Sequence, residues 1–141
     1  RVWIEMKPKK ILYKNQRKVF GEFLKFIGPF LKRYREIEKV YLWGSLAAGT
    51  FGLYEKIYID QTGSDVDLVI FLRKGSNIPK EWKSLNTKKT WFSLYKEKEF
   101  RDFIYKGNTH KVDLIVALPG KTVNDLERTN KEINKKFIRI S

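Results

Sequence analysis

The 141-residue sequence contains no cysteine, only one histidine and no long apolar run. Without cysteine the chain can form neither disulfides nor thiolate metal sites, and one histidine cannot build a zinc site by itself. No apolar run approaches the roughly 18 residues that a membrane span needs, and residues 1–5 lack the pattern of a signal peptide. These absences predict a cytoplasmic protein. The first residue is not Met, as in a truncated or internal segment.

Acidic residues are few compared with basic ones. Lys and Arg number 30 against 16 Asp and Glu, so the net charge is +14. Such a surplus attracts polyanions, which indicates nucleic acid or a nucleoside triphosphate as partner. The alternative, a charge-rich thermophile surface, explains many of the charges but not a surplus this large. The length and the hydrophobic content of 42% predict one domain over residues 1–141.

Apolar patterning predicts an α/β (α+β) domain, a small mixed β-sheet with helices packed on it. Apolar runs predict strands at residues 39–43, 64–72 and 111–118. Helical periodicity predicts helices within residues 11–37, 94–105 and 122–137. Gly28-Pro29 interrupts the first helix and predicts a kink or two separate helices. Residues 51–63 read as a hairpin inserted between strands.

Three carboxylates lie where two of these strands begin. Asp65 and Asp67 are alternate residues, so on a strand they share a face about 7 Å apart. Two carboxylates on one face repel each other unless a cation lies between them, and Mg²⁺ prefers oxygen ligands. Asp113 opens the last strand and could complete a two-metal site. The alternative is that these are ordinary solvated strand ends.

The Gly44-Ser45 pair directly follows the first strand. A strand-to-helix turn presents backbone N–H groups, Gly allows close approach, and Ser adds a hydroxyl, which together suit a triphosphate. The sequence has no Walker A motif, which argues against a P-loop NTPase. The alternative is a plain turn.

Residues 42–50 (LWGSLAAGT) and 64–69 (SDVDLV) resemble the signature of the DNA polymerase beta-like nucleotidyltransferase superfamily, especially its minimal members. That signature is a hydrophobic residue, Gly, and Gly or Ser, followed later by Asp, a hydrophobic residue, and Asp or Glu. The resemblance implies that Gly44 and Ser45 hold the triphosphate. It implies that Asp65, Asp67 and Asp113 bind Mg²⁺, with Mn²⁺ as the alternative ion. The implied reaction moves a nucleoside monophosphate from an NTP, expected to be ATP, to an acceptor hydroxyl.

Two departures from that signature leave a second function open. Small members usually carry Arg at the position of Ala48, and the gap between Ser45 and Asp65 is longer than usual. The alternative is therefore a catalytically weak or inactive module that binds nucleic acid or a protein. The minimal members are often the antitoxin half of two-gene modules and can adenylylate a partner toxin. A protein, an RNA end or a small molecule could thus accept the nucleotide, and a dimer or a partner could supply the acceptor site.

Two further features have both a functional and a structural interpretation. His110 precedes Asp113 closely and could touch substrate; the alternative is a surface histidine beside a strand, which is common. A basic region interleaved with aromatic residues would suit single-stranded nucleic acid, or would be an amphipathic helix with a solvated lysine face. Its members are Lys88, Lys89, Trp91, Phe92, Tyr95, Lys96, Lys98, Arg101 and Lys106.

Overall fold

The structure, a computed structural model, describes residues 8–58, 61–98, 100–133 and 136–141. Its helices are α1 (Gln16–Arg33), α2 (Ser45–Ala48) and α3 (Val123–Ile133). Its strands are β1 (Lys10–Leu12), β2 (Ile37–Trp43), β3 (Gly52–Tyr58), β4 (Gln61–Gly63), β5 (Val66–Leu72), β6 (Trp82–Ser84), β7 (Phe92–Glu97), β8 (Phe103–Tyr105), β9 (Asn108–His110), β10 (Val112–Ala117) and β11 (Phe137–Arg139). The predicted mixed α/β architecture is confirmed.

A six-stranded mixed sheet forms the centre, in the order β11-β2-β5-β10-β7-β6. Strands β5 and β10 run parallel to each other, whereas the other neighbours are antiparallel. The three predicted strands are the central ones, β2, β5 and β10. Their apolar runs are continuous because both faces of the sheet are covered.

Alternation along the central strands divides the core into two layers. Even-numbered residues of β5 and β10 pack with α1 through Val19, Phe23, Ile27 and Phe30. Odd-numbered residues pack on the opposite face with Trp43, Trp91 and Leu126 of α3. The indole N–H groups of Trp43 and Trp91 donate to Asn130 and Thr129, which attaches α3 to this face. Of the described helices, none is long and apolar enough to cross a membrane.

Helix α1 continues through Pro29, so the predicted break into two helices is wrong. Its last turn is held by packing, because Phe30 stacks on Trp82 with ring centroids 6.0 Å apart and Tyr34 meets the same ring at 5.2 Å. Asn15 is the N-cap of the helix, and its side chain accepts a hydrogen bond from the Lys18 N–H at 3.1 Å. Residues 11 and 12 lie in β1 instead of in the helix.

Gly21 lies inside α1, and a Cβ built there would meet nothing within 4 Å. Glycine in a helix interior costs stability because the unfolded chain has more conformations to lose. We expect Gly21→Ala to raise the free energy of unfolding by about 0.5–1 kcal/mol, measured by urea denaturation. A decrease would mean that a neighbouring group occupies this face of the helix.

The predicted helix within residues 94–105 is wrong, because this segment contains β7 and β8. Strand β7 pairs with β10 on one side and with β6 on the other. Trp91 at its start is buried with 4% exposure, so it belongs to the core and not to a base-stacking surface. The interpretation of the basic region as an amphipathic helix is therefore also wrong.

The last predicted helix ends earlier than expected. Helix α3 stops at Ile133, residues 134–135 lie outside the described part, and Phe137 begins β11. Strand β11 pairs antiparallel with β2, with Phe137 opposite Trp43. This long-range pairing places the end of the chain at the edge of the sheet that carries the Gly44-Ser45 turn.

A second, smaller sheet stands beside the first and is formed by β1, β3 and β4. We call these three strands the arm. Strands β3 and β4 pair antiparallel, as predicted for a hairpin within residues 51–63, and β1 joins β3 on its other edge. Residues 59 and 60, which include Asp60 of the predicted alternating stretch, lie outside the described residues.

Candidate active site

The three predicted carboxylates lie at one end of the two parallel strands. Asp113 of β10 is directly opposite Asp67 of β5 in the register. Both residues are odd-numbered, so they share the sheet face that is covered by α3 further along the strands. Asp65 immediately precedes β5, which begins at Val66 and not at residue 64 as predicted. The parallel register explains why residues far apart in the sequence reach the same edge.

Gly44 directly follows β2 at the same edge, and the chain turns at this residue before α2 begins. Its φ of +87° is one that side chains disfavour, and a Cβ here would come within 3.3 Å of Asp67 Oδ2. Glycine therefore keeps open the space between the turn and the carboxylate. The N–H of Gly44 itself is already used within the fold, because it donates to the carbonyl of Lys136 at 2.9 Å. Helix α2 has only four residues, so its dipole contributes little.

The turn and two of the carboxylates line one cavity of about 360 Å³. Its lining residues come from five parts of the chain: Lys10, Gly44, Ser45, Ala48, Thr50, Tyr54, Ser64, Asp65, Asp67 and Lys136. Asp113 is outside this lining, and its carboxylate lies 3.7 Å from Lys111 Nζ. The structure thus joins four of the five predicted site residues in one cavity and places the fifth on the neighbouring strand.

The carboxylate of Asp65 is perturbed by its surroundings. Burial raises the pKa of its carboxyl above the ordinary value, and the negative charge of Asp113 raises it further. A hydrogen bond with Gln61 and the charge of Lys111 act in the opposite direction. Its Oδ1 atom is buried and has no hydrogen-bond partner among the described residues. Such an oxygen is costly unless a cation or a donor meets it.

These carboxylates fit Mg²⁺ in chemistry, although they do not form a finished cage. Within the described ranges, no group of three or more His, Cys, Asp or Glu side chains is placed to hold one metal ion. Mg²⁺ usually takes one or two carboxylates and completes its shell with water and substrate phosphates. Asp65, with its unpaired Oδ1, and Asp67 supply that number of ligands at one cavity.

His110 is a fully buried residue behind the site. Its Nδ1 lies 2.9 Å from the carbonyl of Ser64, which can only accept, so Nδ1 carries the proton. Its Nε2 then accepts from the Tyr13 hydroxyl at 2.7 Å. His110 is therefore neither a surface residue nor a residue that substrate can contact. It is buried and supports the backbone next to Asp65.

Burial lowers the pKa of His110, with the Ser64 carbonyl acting in the opposite direction. The folded state therefore keeps the ring neutral at a pH where the unfolded chain, with a pKa of about 6.5, already binds a proton. Stability is fully present above that pH and is lost as the pH falls toward the lowered pKa. We expect the unfolding free energy to decline as the pH falls below about 6.5, with a shallower decline in His110→Gln. Asp65 is present in both proteins, so its titration cancels in the comparison. Parallel profiles of unfolding free energy against pH would contradict the assignment of this pH dependence to His110.

Sequence reasoning did not place Lys10, Tyr54 or Lys136 at the candidate site, although all of them line the cavity. Lys10 lies in β1, Tyr54 lies in β3, and Lys136 immediately precedes β11. Each of them reaches the cavity because its segment pairs with a distant strand. Lys10 and Lys136 bring positive charge to the edge where Ala48 replaces the usual Arg. No local pattern around these residues indicates this position.

A comparison with known families decides the class of the protein. The family model of the nucleotidyltransferase domain matches residues 24–140. The chain belongs to the nucleotidyltransferase domain family. No curated protein and no solved structure matches it. The matched range of this nucleotidyltransferase domain contains the Gly44-Ser45 turn and all three carboxylates, whereas β1 and Lys10 precede it. The general chemistry of the domain is therefore transfer of a nucleoside monophosphate.

Proposed function

We propose that the protein is an active Mg²⁺-dependent nucleotidyltransferase that transfers a nucleoside monophosphate from an NTP, with ATP as the expected donor, to an acceptor hydroxyl. One observation carries the proposal: Gly44, Ser45, Asp65 and Asp67 line a single cavity, with Asp113 in register on the adjoining strand. This combination provides oxygen ligands beside a turn that a phosphate can approach closely.

Each residue has a distinct part in the proposed reaction. Asp65 and Asp67 hold the metal ions, and Asp113 completes the ligand set and takes the proton of the acceptor hydroxyl. Ser45 donates to the terminal phosphates, while Gly44 leaves space for them. The acceptor oxygen forms a bond to the α-phosphorus, the bond between the α-phosphorus and the bridging oxygen breaks, and pyrophosphate leaves. Bound Mg²⁺ would neutralise charge on the phosphates in a two-metal arrangement.

The proposal is tested by following both products of the reaction. The protein is incubated with Mg²⁺ and each NTP labelled at the α-phosphate, in the presence of RNA or of protein as acceptor. We expect label in one acceptor and an equal amount of pyrophosphate. Release of inorganic phosphate without label in an acceptor would indicate hydrolysis of the NTP instead of nucleotide transfer and would contradict the proposal.

The second candidate is a module that binds nucleotide or partner without turnover. Ala48 at the cavity and the absence of a three-carboxylate ligand group among the described residues both favour it. In this case the protein binds Mg–NTP but produces no pyrophosphate with any acceptor, including a toxin-type protein partner. The product assay therefore separates the two candidates.

We propose that Lys136 takes over part of the role of the Arg that Ala48 replaces. Its carbonyl is fixed by the Gly44 N–H at 2.9 Å, and the residue lines the cavity. We expect Lys136→Ala to weaken Mg–ATP binding about fivefold in calorimetry, since an exposed charge pair contributes on the order of 1 kcal/mol. The backbone hydrogen bond survives this substitution.

Two companion variants make the Lys136 test specific. Lys131→Ala removes the same charge from an exposed position on α3 and is expected to leave the affinity unchanged. Lys136→Ala combined with Ala48→Arg returns a cation to the same cavity and is expected to restore binding. Equal losses in Lys131→Ala and Lys136→Ala would show a general charge effect and contradict a local role.

A further inference from the structure

The arm presents an aromatic and a basic residue side by side at the candidate site. Lys10 of β1 and Tyr54 of β3 are directly opposite each other in the strand register. Both line the cavity that contains Asp65 and Asp67. Side chains of directly paired residues share one face of a sheet, so this face of the arm forms a wall of the site.

A second tyrosine extends this wall beyond the cavity. The rings of Tyr54 and Tyr58 are in contact, with centroids 5.5 Å apart and planes at 70°. Tyr54 lines the cavity, whereas Tyr58 is outside its lining. The aromatic surface therefore begins in the cavity that contains Asp65 and Asp67 and continues beyond the lining of that cavity along β3.

Tyr54 is also electrostatically coupled to the site. Burial raises the pKa of its phenol, and the negative charge of the Asp65 carboxylate raises this pKa further. Tyr54 and Asp65 also line the same cavity. A group stacked on Tyr54 would have its reactive end near the carboxylates.

The charge of the chain favours a polyanion on this wall. The net charge is +14, and Lys56, between the two tyrosines in sequence, is exposed. Aromatic rings that stack on bases, next to lysines that meet phosphates, are the usual way to bind single-stranded nucleic acid without base specificity. A single NTP would need neither the second tyrosine nor the excess charge.

We propose that the acceptor is the end of a single-stranded nucleic acid, whose last bases stack on Tyr54 and Tyr58 while its terminal hydroxyl reaches Asp65 and Asp67. This deepens the proposed function and rests on it. The terminal oxygen bonds to the α-phosphorus of the NTP, pyrophosphate leaves, and the hydroxyl proton passes to a site carboxylate. The strand grows by one nucleotide.

The test measures binding of a fluorescein-labelled single-stranded oligoribonucleotide by anisotropy, and of Mg–ATP by calorimetry, with the full chain. We expect Tyr58→Ala and Tyr54→Ala each to weaken oligonucleotide binding about tenfold, in the range measured for loss of one base-stacking contact. Tyr58→Ala is expected to leave Mg–ATP affinity unchanged. Tyr54→Phe and Tyr58→Phe keep the rings and are expected to bind like the wild type.

Ile57→Ala is the matched control, because Ile57 is an apolar residue of the same strand with 70% exposure. Its oligonucleotide affinity is expected to equal that of the wild type. Unchanged oligonucleotide affinity in both tyrosine-to-alanine variants, with Mg–ATP bound normally, overturns the inference and leaves the proposed function standing. Weaker Mg–ATP binding with unchanged oligonucleotide binding also overturns it, because the stacked base is then that of the NTP. A folded wild type that binds neither ligand overturns both proposals.

Discussion

Replacing Asp67 with Asn is expected to lower the rate of pyrophosphate release about a thousandfold, with little change in stability. In the proposed reaction, metal ions held by the carboxylates would supply several kcal/mol of stabilisation to the charged transition state, and each 1.36 kcal/mol corresponds to a factor of ten. Asn has nearly the shape of Asp but lacks its charge. The variant therefore keeps the packing around Gly44 and removes a ligand from the cavity.

Glu127→Gln is the control for the Asp67 variant. Glu127 is exposed on α3, so this change removes one negative charge away from the cavity. Its rate should match that of the wild type. If Asp67→Asn also retained the wild-type rate under saturating Mg²⁺ and NTP, this carboxylate would not be a metal ligand in the reaction.

Gly63→Ala is expected to destabilise the fold by about 2 kcal/mol, within the range of overpacked cores. A Cβ at residue 63 would come within 2.5 Å of His110 Cε1 and 2.8 Å of its Nδ1. The ring is fully buried between Phe51 and Phe103, with centroids at 4.4 and 6.1 Å, so it has little room to move. Urea denaturation measures the loss.

The same substitution is expected to reduce nucleotide transfer, because His110 and Gly63 both adjoin Ser64 and hence Asp65. Ser64 is held on its other side by Gly52, whose carbonyl accepts the Ser64 N–H at 2.9 Å. Gly21→Ala, which adds the same methyl group in open space, provides the comparison and should be stabilised. An unfolding midpoint for Gly63→Ala equal to that of the wild type would mean that His110 is not packed as the structure places it.

The centre of the fold and the carboxylates were predictable because their signals are local. Continuous apolar runs identify β2, β5 and β10, and alternation fixes which residues share a face. Two parallel strands that each carry an aspartate as their second residue bring Asp67 and Asp113 together as soon as the strands are in register. The proposed chemical roles of these residues stay predictions, as do the Mg²⁺ ligands.

The edges of the fold were not predictable from local patterns. Strand β7 ends in one lysine and one glutamate beside aromatic residues, so its sequence pattern resembles that of a helix. Only pairing with β10 and β6 makes it a strand. Strand β11 has three residues and depends on its partner β2. For this reason the sequence did not indicate that the Lys136 carbonyl would accept the Gly44 N–H. It also did not indicate that the arm would bring Lys10 and Tyr54 to the cavity.

The most direct test of the account is a calorimetric titration of Mg–ATP into the wild type and into Asp65→Asn/Asp67→Asn. The wild type is expected to bind Mg–ATP, with binding that disappears when EDTA removes the metal and is absent from the folded double variant. Failure of every NTP to bind the folded wild type, or binding that needs neither metal nor carboxylates, would contradict a nucleotide site at this cavity.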